Sequence, residues 1–260
     1  MPKVLLITGG ASGIGAATAR RAAAAGYWVA VNYRSRKDEA FDLVTEIESA
    51  GGKAAAFAAD ISEAGDVTGL FDAVETELGT PWALVNSAGI SRPKGQLADL
   101  KPSDMERLVE INLLGTLYCC RQAARRMSVS RGGAGGVIVN VSSMAATTGG
   151  REGRIVYAAT KGGVDSMTKG LARELARDGV RVNAIRPGFT KSPMTPQLDD
   201  PETAAAIDAT IPMGRTAEAD EVAAPIVWLL SEEASFVTGA FLDVSGGGFV
   251  IGSADTAFPS

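Results

Sequence analysis

Residues 3–26, KVLLITGGASGIGAATARRAAAAG, join a short apolar run to a glycine-rich turn and an alanine-rich segment of helical length. Gly9, Gly13 and Gly15 give the spacing G-x-x-x-G-x-G. Glycine at these places permits a tight turn, approach of the backbone to a pyrophosphate, and close contact between helix and strand. Such a cluster can also form a turn that binds nothing, but its position between a strand and a helix start predicts a dinucleotide site.

Short apolar runs alternate with segments of helical length along the chain. The runs lack the polar–apolar alternation of half-exposed strands, which favours parallel strands buried on both faces and joined by helical crossovers. They lie at 3–8, 28–33, 53–58, 82–86, 136–142, 180–186 and 240–246. Helices are predicted at 13–25, 38–50, 63–79, 102–128, 156–178 and 218–232. The pattern predicts an α/β fold with a doubly wound parallel sheet, in a single domain over residues 1–260.

Residues 188–214, GFTKSPMTPQLDDPETAAAIDATIPMG, break this alternation with four prolines and little apolar content. In an open α/β fold, a segment that follows the carboxyl end of a strand belongs over the ligand crevice. We therefore expect residues 188–214 to form a substrate lid.

The composition argues against several kinds of partner. The formal net charge is −5, whereas affinity for nucleic acid depends on an excess of cationic side chains. We find no run of eighteen apolar residues, and glycines interrupt the amino-terminal apolar run before it reaches signal-peptide length, so we expect a cytoplasmic protein without membrane association. Cys119 and Cys120 are adjacent, which offers no zinc-binding spacing, and no metal is expected.

The end of the second apolar run, VNYRSRK (31–37), bears on the choice of dinucleotide. A site specific for NAD carries an acid about twenty residues after the glycine turn, to bind the ribose 2′-hydroxyl. Tyr33 stands there instead, and Arg34 follows with positive charge suited to a 2′-phosphate. The alternative is that these basic side chains are simply solvated at the start of a helix. This is more plausible for Arg36 and Lys37 than for Arg34. The sequence predicts NADP(H) in preference to NAD(H).

The segment RIVYAATK (154–161) places Tyr157 four residues before Lys161 in a chain without histidine. On a helix this spacing puts both side chains on one face. A phenol of pKa near 10 needs nearby positive charge to exchange protons at neutral pH, and Lys161 and an oxidised nicotinamide are two such charges. Taken alone, the pair could also be an ordinary helix-surface pair.

With these features the sequence resembles the short-chain dehydrogenase/reductase family over nearly its whole length, in particular the NADP-dependent glucose and 3-oxoacyl-carrier-protein reductase-like members. The matching motifs, in the family's order, are TGGASGIG (8–15), Asp60 in ADI, NSAGI (86–90), Asn112 in EINLLG, the serines of NVSS, YAATK, RPGFTKSP and TGAFLDVSGG. The resemblance implies a Rossmann fold with a seven-stranded parallel sheet, helices on both faces, a nicotinamide cofactor and a small-molecule substrate.

The resemblance also implies a role for individual residues. Tyr157 would exchange a proton with the substrate oxygen, and Ser143 would hydrogen-bond that oxygen. Lys161 would contact the nicotinamide ribose and lower the pKa of Tyr157, while Asn112 would hold a relay water. The implied cofactor contacts are Ser12, Gly13 and Ile14 at the pyrophosphate and nicotinamide side, Asp60 and Ile61 at adenine, Asn86, Ala88 and Gly89 at the adenine ribose, and Pro187, Gly188 and Thr190 at the nicotinamide amide.

Three positions depart from the family pattern. Ser87 follows Asn86 where the family has a second asparagine, and Ser192 replaces the usual threonine. Ser143 precedes Tyr157 by 14 positions rather than the usual thirteen, so the intervening loop is one residue longer. The catalytic serine is assigned to Ser143 rather than Ser142.

The leading functional hypothesis is an NADP(H)-dependent oxidoreductase that reduces a small carbonyl compound to an alcohol, or runs in reverse. One alternative is a 3-oxoacyl-carrier-protein reductase, which needs a basic patch beside the pocket to dock an acidic carrier protein. Arg173 and Arg177 are the candidates for this patch, but Glu174 and Asp178 offset their charge. The other is a non-catalytic NADP(H)-binding protein on the same fold.

Two further predictions concern surfaces. Segments 102–128 and 156–178 carry apolar residues on more than one face, which with the family resemblance predicts a homotetramer. These residues are Leu113, Leu114, Leu117, Tyr118, Val164, Met167 and Leu171.

The loop TTGGREGR (147–154) brings Arg151 and Arg154 close to Tyr157, where one of them could orient an anionic substrate, with Arg151 the better candidate. Solvated loop arginines are the alternative.

Overall fold

A seven-stranded parallel sheet organises residues 3–248, the part of the chain that this computed structural model describes. The strands are β1 (Val4–Thr8), β2 (Trp28–Tyr33), β3 (Lys53–Ala58), β4 (Pro81–Asn86), β5 (Gly136–Val141), β6 (Val180–Pro187) and β7 (Phe241–Val244). Their order across the sheet is β3-β2-β1-β4-β5-β6-β7. The predicted seven-stranded sheet is confirmed. The predicted domain also includes residues 1–2 and 249–260, which lie outside the described residues.

Helices cover both faces of the sheet, as predicted. They are α1 (Gly13–Ala24), α2 (Lys37–Ser49), α3 (Ala64–Glu77), α4 (Pro102–Val109), α5 (Thr116–Met127), α6 (Ala145–Thr148), α7 (Ile155–Leu175), α8 (Pro201–Asp208) and α9 (Ala219–Leu230). None of those within residues 3–248 is long and apolar enough to cross a membrane.

The first strand shows how the sheet divides two cores. Leu5 and Ile7 pack with residues of α1, α2 and α9, whereas Leu6 packs on the opposite face with residues of α3, α5 and α7. All three side chains are fully buried. Because consecutive strand residues point to opposite faces and both faces are covered, the strand must be apolar throughout.

The structure differs from the predicted elements at three places. The helix predicted over 102–128 is interrupted by a π-helical segment, Glu110–Gly115, between α4 and α5. The short helices α6 and α8 were not predicted. Within residues 188–214, a 3₁₀ turn (Pro196–Asp199) leads into α8, which is capped by Asp200 through a hydrogen bond from the Thr203 amide of 2.9 Å. A short polar side chain at this position satisfies a helix amide that lacks an intrahelical partner.

Candidate functional site

A crevice of about 840 Å³ opens at the carboxyl ends of the strands, near β1 and β4, where the strand order reverses. This is the place where open α/β sheets bind ligands, and the volume lies toward the upper end of the usual range of about 300–1,000 Å³. We name its two ends by their side chains. The tyrosine end contains Ser143, Tyr157 and Lys161, and the Arg34 end contains Tyr33, Arg34, Arg36 and Asp60.

The glycine turn between β1 and α1 forms the floor of the crevice. Gly9 has φ +62°, and a Cβ there would lie 2.7 Å from the Ala88 Cα. A Cβ at Gly15 would lie 2.3 Å from the carbonyl oxygen of Gly9. Only glycine therefore allows the turn to approach the loop after β4, and α1 to approach the turn, this closely.

The start of α1 fits a pyrophosphate group. Ser12 is the N-cap, and its side chain makes no capping hydrogen bond within residues 3–248. The first turn of α1 contains no acidic residue. Helix N-terminal amides attract anions, and here nothing acidic in the helix competes for them. The residues present therefore fit the dinucleotide that the glycine spacing predicts.

At the Arg34 end, Arg34 is exposed and weakly held. Its side chain is 52% exposed, and its Nη1 lies 3.4 Å from Asp60 Oδ2. Asp60 is bound more closely by Arg107 Nη2 at 3.0 Å and by the Ser62 hydroxyl at 2.6 Å. Partial burial disfavours the Asp60 carboxylate, but the hydrogen bonds from Ser62 and the charge of Arg107 outweigh it and lower its pKa to about 2. Asp60 is thus ionised at neutral pH, and Arg34 remains accessible to a ligand.

At the tyrosine end, Lys161 is buried and fixed. Its Nζ donates to the Val141 carbonyl oxygen at 2.7 Å and lies 5.9 Å from the centroid of the Tyr157 ring. Burial lowers the pKa of Lys161 to about 8, although the nearby Asp165 carboxylate acts to raise it. Helix α7 carries both residues, so their i, i+4 spacing turns them to one side as predicted.

The electrostatic environment of Tyr157 includes an arginine. Burial raises the pKa of Tyr157, while the Ser143 side chain and the positive charge of Arg154 act to lower it. The sequence suggested Lys161 and an oxidised nicotinamide as the cations that act on this phenol. In the structure the cation that acts to lower the pKa of Tyr157 is Arg154, three residues before it, rather than Lys161, and burial outweighs its effect.

The two adjacent serines have different surroundings. The Ser142 hydroxyl donates to Asp165 Oδ1 at 2.6 Å, whereas Ser143 Oγ accepts a hydrogen bond from the Ala145 amide at 3.1 Å. The proton of the Ser142 hydroxyl is therefore already committed. The Ser143 hydroxyl keeps its proton available toward the crevice.

Asn112 lies in the π-helical segment, behind the crevice wall. Its side chain is fully buried, accepts from the Ile90 amide and donates to the Ile90 carbonyl oxygen, each at 2.8 Å, and also donates to Thr160 Oγ1 at 3.2 Å. The side chain thereby joins the loop after β4 to α7. A π-helical turn displaces the regular backbone hydrogen bonds and is frequent at functional sites.

Most of the predicted site residues line the crevice. They are Gly9, Ser12, Gly13, Ile14, Arg34, Asp60, Ile61, Ala88, Gly89, Ser143, Tyr157, Lys161, Pro187, Gly188 and Thr190. Three lie behind its wall: Gly15, Asn86 and Asn112. The Asn86 side chain donates to Asn140 Oδ1 at 2.9 Å between β4 and β5, and the contact of Asn86 with a ribose stays a prediction.

Two cations that the sequence analysis did not identify also line the crevice, Arg92 and Lys94. They follow the NSAGI motif in the stretch SRPK (91–94), and their position directly after β4 was the available signal. Arg151 and Arg154, which the sequence analysis did identify, line the same region.

Comparison with known proteins agrees with this geometry. A family model described as enoyl-(acyl carrier protein) reductase, of the short-chain dehydrogenase type, matches residues 9–248. The oxidoreductase YgfF of Escherichia coli is 43% identical over 244 residues, covering 94% of this chain and 99% of that protein. The 3β-hydroxysteroid dehydrogenase 1 of Eggerthella lenta is 41% identical over 259 residues, covering 94% and 93% of the two chains.

Two further proteins extend the comparison. The 3-oxoacyl-acyl-carrier-protein reductase FabG of Staphylococcus aureus is 37% identical over 247 residues, covering 95% of this chain and 98% of that protein. The crystal structure of a dehydrogenase/reductase from Sinorhizobium meliloti superposes with a TM-score of 0.88 at 34% identity, covering 95% of each chain.

This chain belongs to the short-chain dehydrogenase/reductase family. It is an NAD(P)-dependent oxidoreductase that interconverts a carbonyl compound and an alcohol.

Proposed function

We propose that the protein is an NADPH-dependent reductase of a small carbonyl compound, with Tyr157 as the proton donor. The observation that carries this proposal is the meeting of Ser143, Tyr157 and Lys161 at one end of the crevice, with Arg34 at the other. When bound, the dinucleotide supplies the hydride. The protein must then hold the carbonyl and deliver a proton to its oxygen.

We assign a role to each polar group at the tyrosine end. Burial raises the pKa of Tyr157, the opposite of the lowering expected from Lys161, so its role as proton donor is proposed from its position at this end of the crevice. Ser143 is placed to donate a hydrogen bond to the substrate carbonyl and so to orient it. We assign to Lys161 the contact with the ribose. We assign to Asn112 the positioning of the π-helical backbone beside α7, and we expect a relay water to bind at that backbone.

The preference for NADPH rests on the Arg34 end. An exposed guanidinium lies at the end of β2, and Tyr33 occupies the position where an acid would bind a 2′-hydroxyl. A 2′-phosphate would offer Arg34 a closer partner than Asp60 at 3.4 Å. We therefore infer a preference for NADPH over NADH.

Residues 188–214 are proposed to act as the substrate lid. Several of their side chains line the crevice, including Phe189, Met194 and Ile207. A Cβ at Gly13 would lie 3.1 Å from the Ser192 Cβ, so this segment passes directly over the glycine turn. A cover in this position would exclude water from the tyrosine end.

The homotetramer and the cytoplasmic location remain predictions. Leu117 is exposed and Leu113 and Leu114 are half-buried, which supports an interface on α5 and the π-helical segment, whereas Val164 is buried within the protomer. Light scattering at micromolar concentration is expected to give four times the monomer mass of 26.7 kDa, and a monomer alone would contradict the prediction.

The assay for the proposed function is the loss of NADPH absorbance with a panel of ketones, aldehydes, sugars and acetoacetyl thioesters. Turnover of at least one small carbonyl compound that is lost in Tyr157→Phe is expected. NADPH binding without turnover of any of them would instead favour a non-catalytic NADP(H)-binding protein.

A further inference from the structure

Four cationic side chains line the crevice near its tyrosine end, and we call them the basic mouth: Arg92, Lys94, Arg151 and Arg154. The first two lie in the loop after β4, and the other two lie in the loop between β5 and α7. A backbone hydrogen bond of 3.1 Å from the Gly95 amide to the Gly153 carbonyl oxygen joins these loops. The cations from two distant parts of the sequence therefore form one surface.

Arg151 and Arg154 are partly built into the wall of the crevice. Arg154 Nη1 donates to the carbonyl oxygen of Ser91, which is a second link between the two loops. The Arg151 guanidinium lies 4.4 Å from the centroid of the Phe189 ring and donates to Thr210 Oγ1 at 3.3 Å. These contacts fix the two guanidinium groups without neutralising either charge.

The charge of the basic mouth is not balanced within the described residues. None of the four cations forms an ion pair with an acidic side chain of residues 3–248. Glu152 also lines the crevice, but it offsets only one positive charge. The chain as a whole has a formal charge of −5, so the basic mouth is a positive surface on a protein with a net negative charge.

An anion would complement the charge of the basic mouth. Burial lowers the pKa of Arg151 and of Arg154, and the like charge of Arg92 lowers that of Arg154 further. Like charges held close together repel each other, and a bound carboxylate or phosphate would offset this repulsion. The proposed 2′-phosphate contact at Arg34 does not serve this purpose, because Arg34 lies at the other end of the crevice.

We propose that the substrate is a small carbonyl compound that also carries a carboxylate or phosphate group, bound by Arg154 and Arg92 while its carbonyl faces Tyr157. This inference rests on the proposed reductase function. Arg154 is the N-cap of α7 and precedes Tyr157 by three residues, so the two side chains are neighbours at the start of this helix. The anionic group must therefore lie only a few bonds from the carbonyl carbon.

An acidic carrier protein is another source of negative charge. Such a partner would meet Arg92, Lys94 and Arg151, which are exposed, whereas Arg154 is half-buried at the start of the helix that carries Tyr157. The position of Arg154 favours a small anion.

Paired substrates that differ in charge test the proposal. The probes are 4-oxopentanoate and its methyl ester, dihydroxyacetone phosphate and dihydroxyacetone, and an acetoacetyl thioester on a carrier protein and on N-acetylcysteamine. The variants are Arg92→Gln and Arg154→Gln. Arg131→Gln is the matched control, because Arg131 is an exposed arginine before β5, at the amino-terminal end of the strands and so away from the crevice.

The readout is the ratio of kcat/KM for the anionic member of a pair to that for the neutral member. We expect wild-type protein to favour 4-oxopentanoate or dihydroxyacetone phosphate, and each active-site variant to reduce the ratio by about ten- to a hundredfold, as for loss of a charge-assisted hydrogen bond. Whether the carboxylate or the phosphate pair responds distinguishes the two anions. A ratio near one in wild-type protein, or equal ratios in the variants and Arg131→Gln, would overturn the proposal. A preference confined to the carrier-protein thioester would overturn it in favour of carrier docking.

Calorimetry separates failure of this proposal from failure of the proposed function. With NADP⁺ present, 4-oxopentanoate and dihydroxyacetone phosphate can bind but cannot be reduced. Binding that is weakened in Arg92→Gln and Arg154→Gln but not in Arg131→Gln would support the anion site even if NADPH turnover were never seen. Reduction of neutral ketones, with no arginine-dependent binding of either anion, would support the reductase and reject the anion site.

Discussion

The two ends of the crevice are built in opposite ways. At the tyrosine end, Lys161 is 6% exposed and hydrogen-bonded to Val141, and Asn112 is fully buried with both hydrogen bonds to Ile90 made. At the Arg34 end, Arg34 is 52% exposed and meets Asp60 only at 3.4 Å. The first end is fixed by the core, so its geometry is set before any ligand binds. The second depends on the identity of one exposed side chain. We therefore expect changes at the tyrosine end to abolish chemistry and changes at the Arg34 end to alter cofactor choice.

The largest effect is expected from Tyr157→Phe. Removing the phenol hydroxyl removes the proton donor, and general acid–base groups contribute roughly a hundred- to ten-thousandfold to rates. Steady-state kcat with NADPH should fall by at least a hundredfold. Tyr118→Phe is the control, since Tyr118 is a half-buried tyrosine of α5 that does not line the crevice within residues 3–248. If Tyr157→Phe retained a tenth of wild-type kcat, another group would be the donor.

Lys161→Met should remove activity and also raise stability at neutral pH. Burial lowers the pKa of Lys161 from 10.5 to about 8, so the folded protein pays to keep this amine charged below pH 8. At about 1.4 kcal/mol per pKa unit, replacement by an uncharged side chain should stabilise the fold by up to about 3 kcal/mol at pH 7.

The free energy of unfolding should depend on pH in a direction that identifies Lys161 as the source of this effect. Between pH 8 and 10.5 the unfolded chain binds a proton at Lys161 that the folded chain does not, so wild-type stability rises with pH in this window. The advantage of Lys161→Met in urea unfolding should therefore shrink from pH 8 to pH 10. Lys169→Met, an exposed lysine of the same helix, should show neither the gain nor the trend. A constant difference at all pH values would mean that Lys161 does not carry this cost.

A smaller effect is expected at the exposed end. Arg34→Asp should lower kcat/KM with NADPH relative to NADH by at least tenfold, or about 1.4 kcal/mol, because an acid would repel the 2′-phosphate and accept from the 2′-hydroxyl. Lys37→Asp makes the same charge change at the start of α2, outside the lining of the crevice in the described residues, and should leave the ratio nearly unchanged. Equal efficiency of the two cofactors in wild-type protein would contradict the proposed preference.

The sequence predicted the buried parts of the molecule better than its local irregularities. All seven strands were predicted from apolar runs; the inner ones are apolar because both of their faces are covered, whereas β7 is only half-buried. The Tyr157 and Lys161 pair followed from helical spacing. The π-helical segment Glu110–Gly115 was missed, because its residues continue an ordinary helical pattern and its geometry depends on the contacts of Asn112 with another loop.

Long-range contacts account for the other omissions. The basic mouth depends on the hydrogen bond between Gly95 and Gly153, which joins loops almost sixty residues apart. The hydrogen bond of the Asn86 side chain to Asn140 on the neighbouring strand was likewise not predicted. Neither placement follows from local sequence spacing, because each is decided by which strands become neighbours.

The most direct test of the division between the two ends is the dissociation constant of NADPH for Tyr157→Phe and for Arg34→Asp, measured by fluorescence titration. We expect Tyr157→Phe to bind NADPH within about twofold of wild-type protein, since its hydroxyl acts on the substrate, and Arg34→Asp to bind it at least about tenfold more weakly. Weakening of NADPH binding by Tyr157→Phe as large as that by Arg34→Asp, or none in Arg34→Asp, would contradict it.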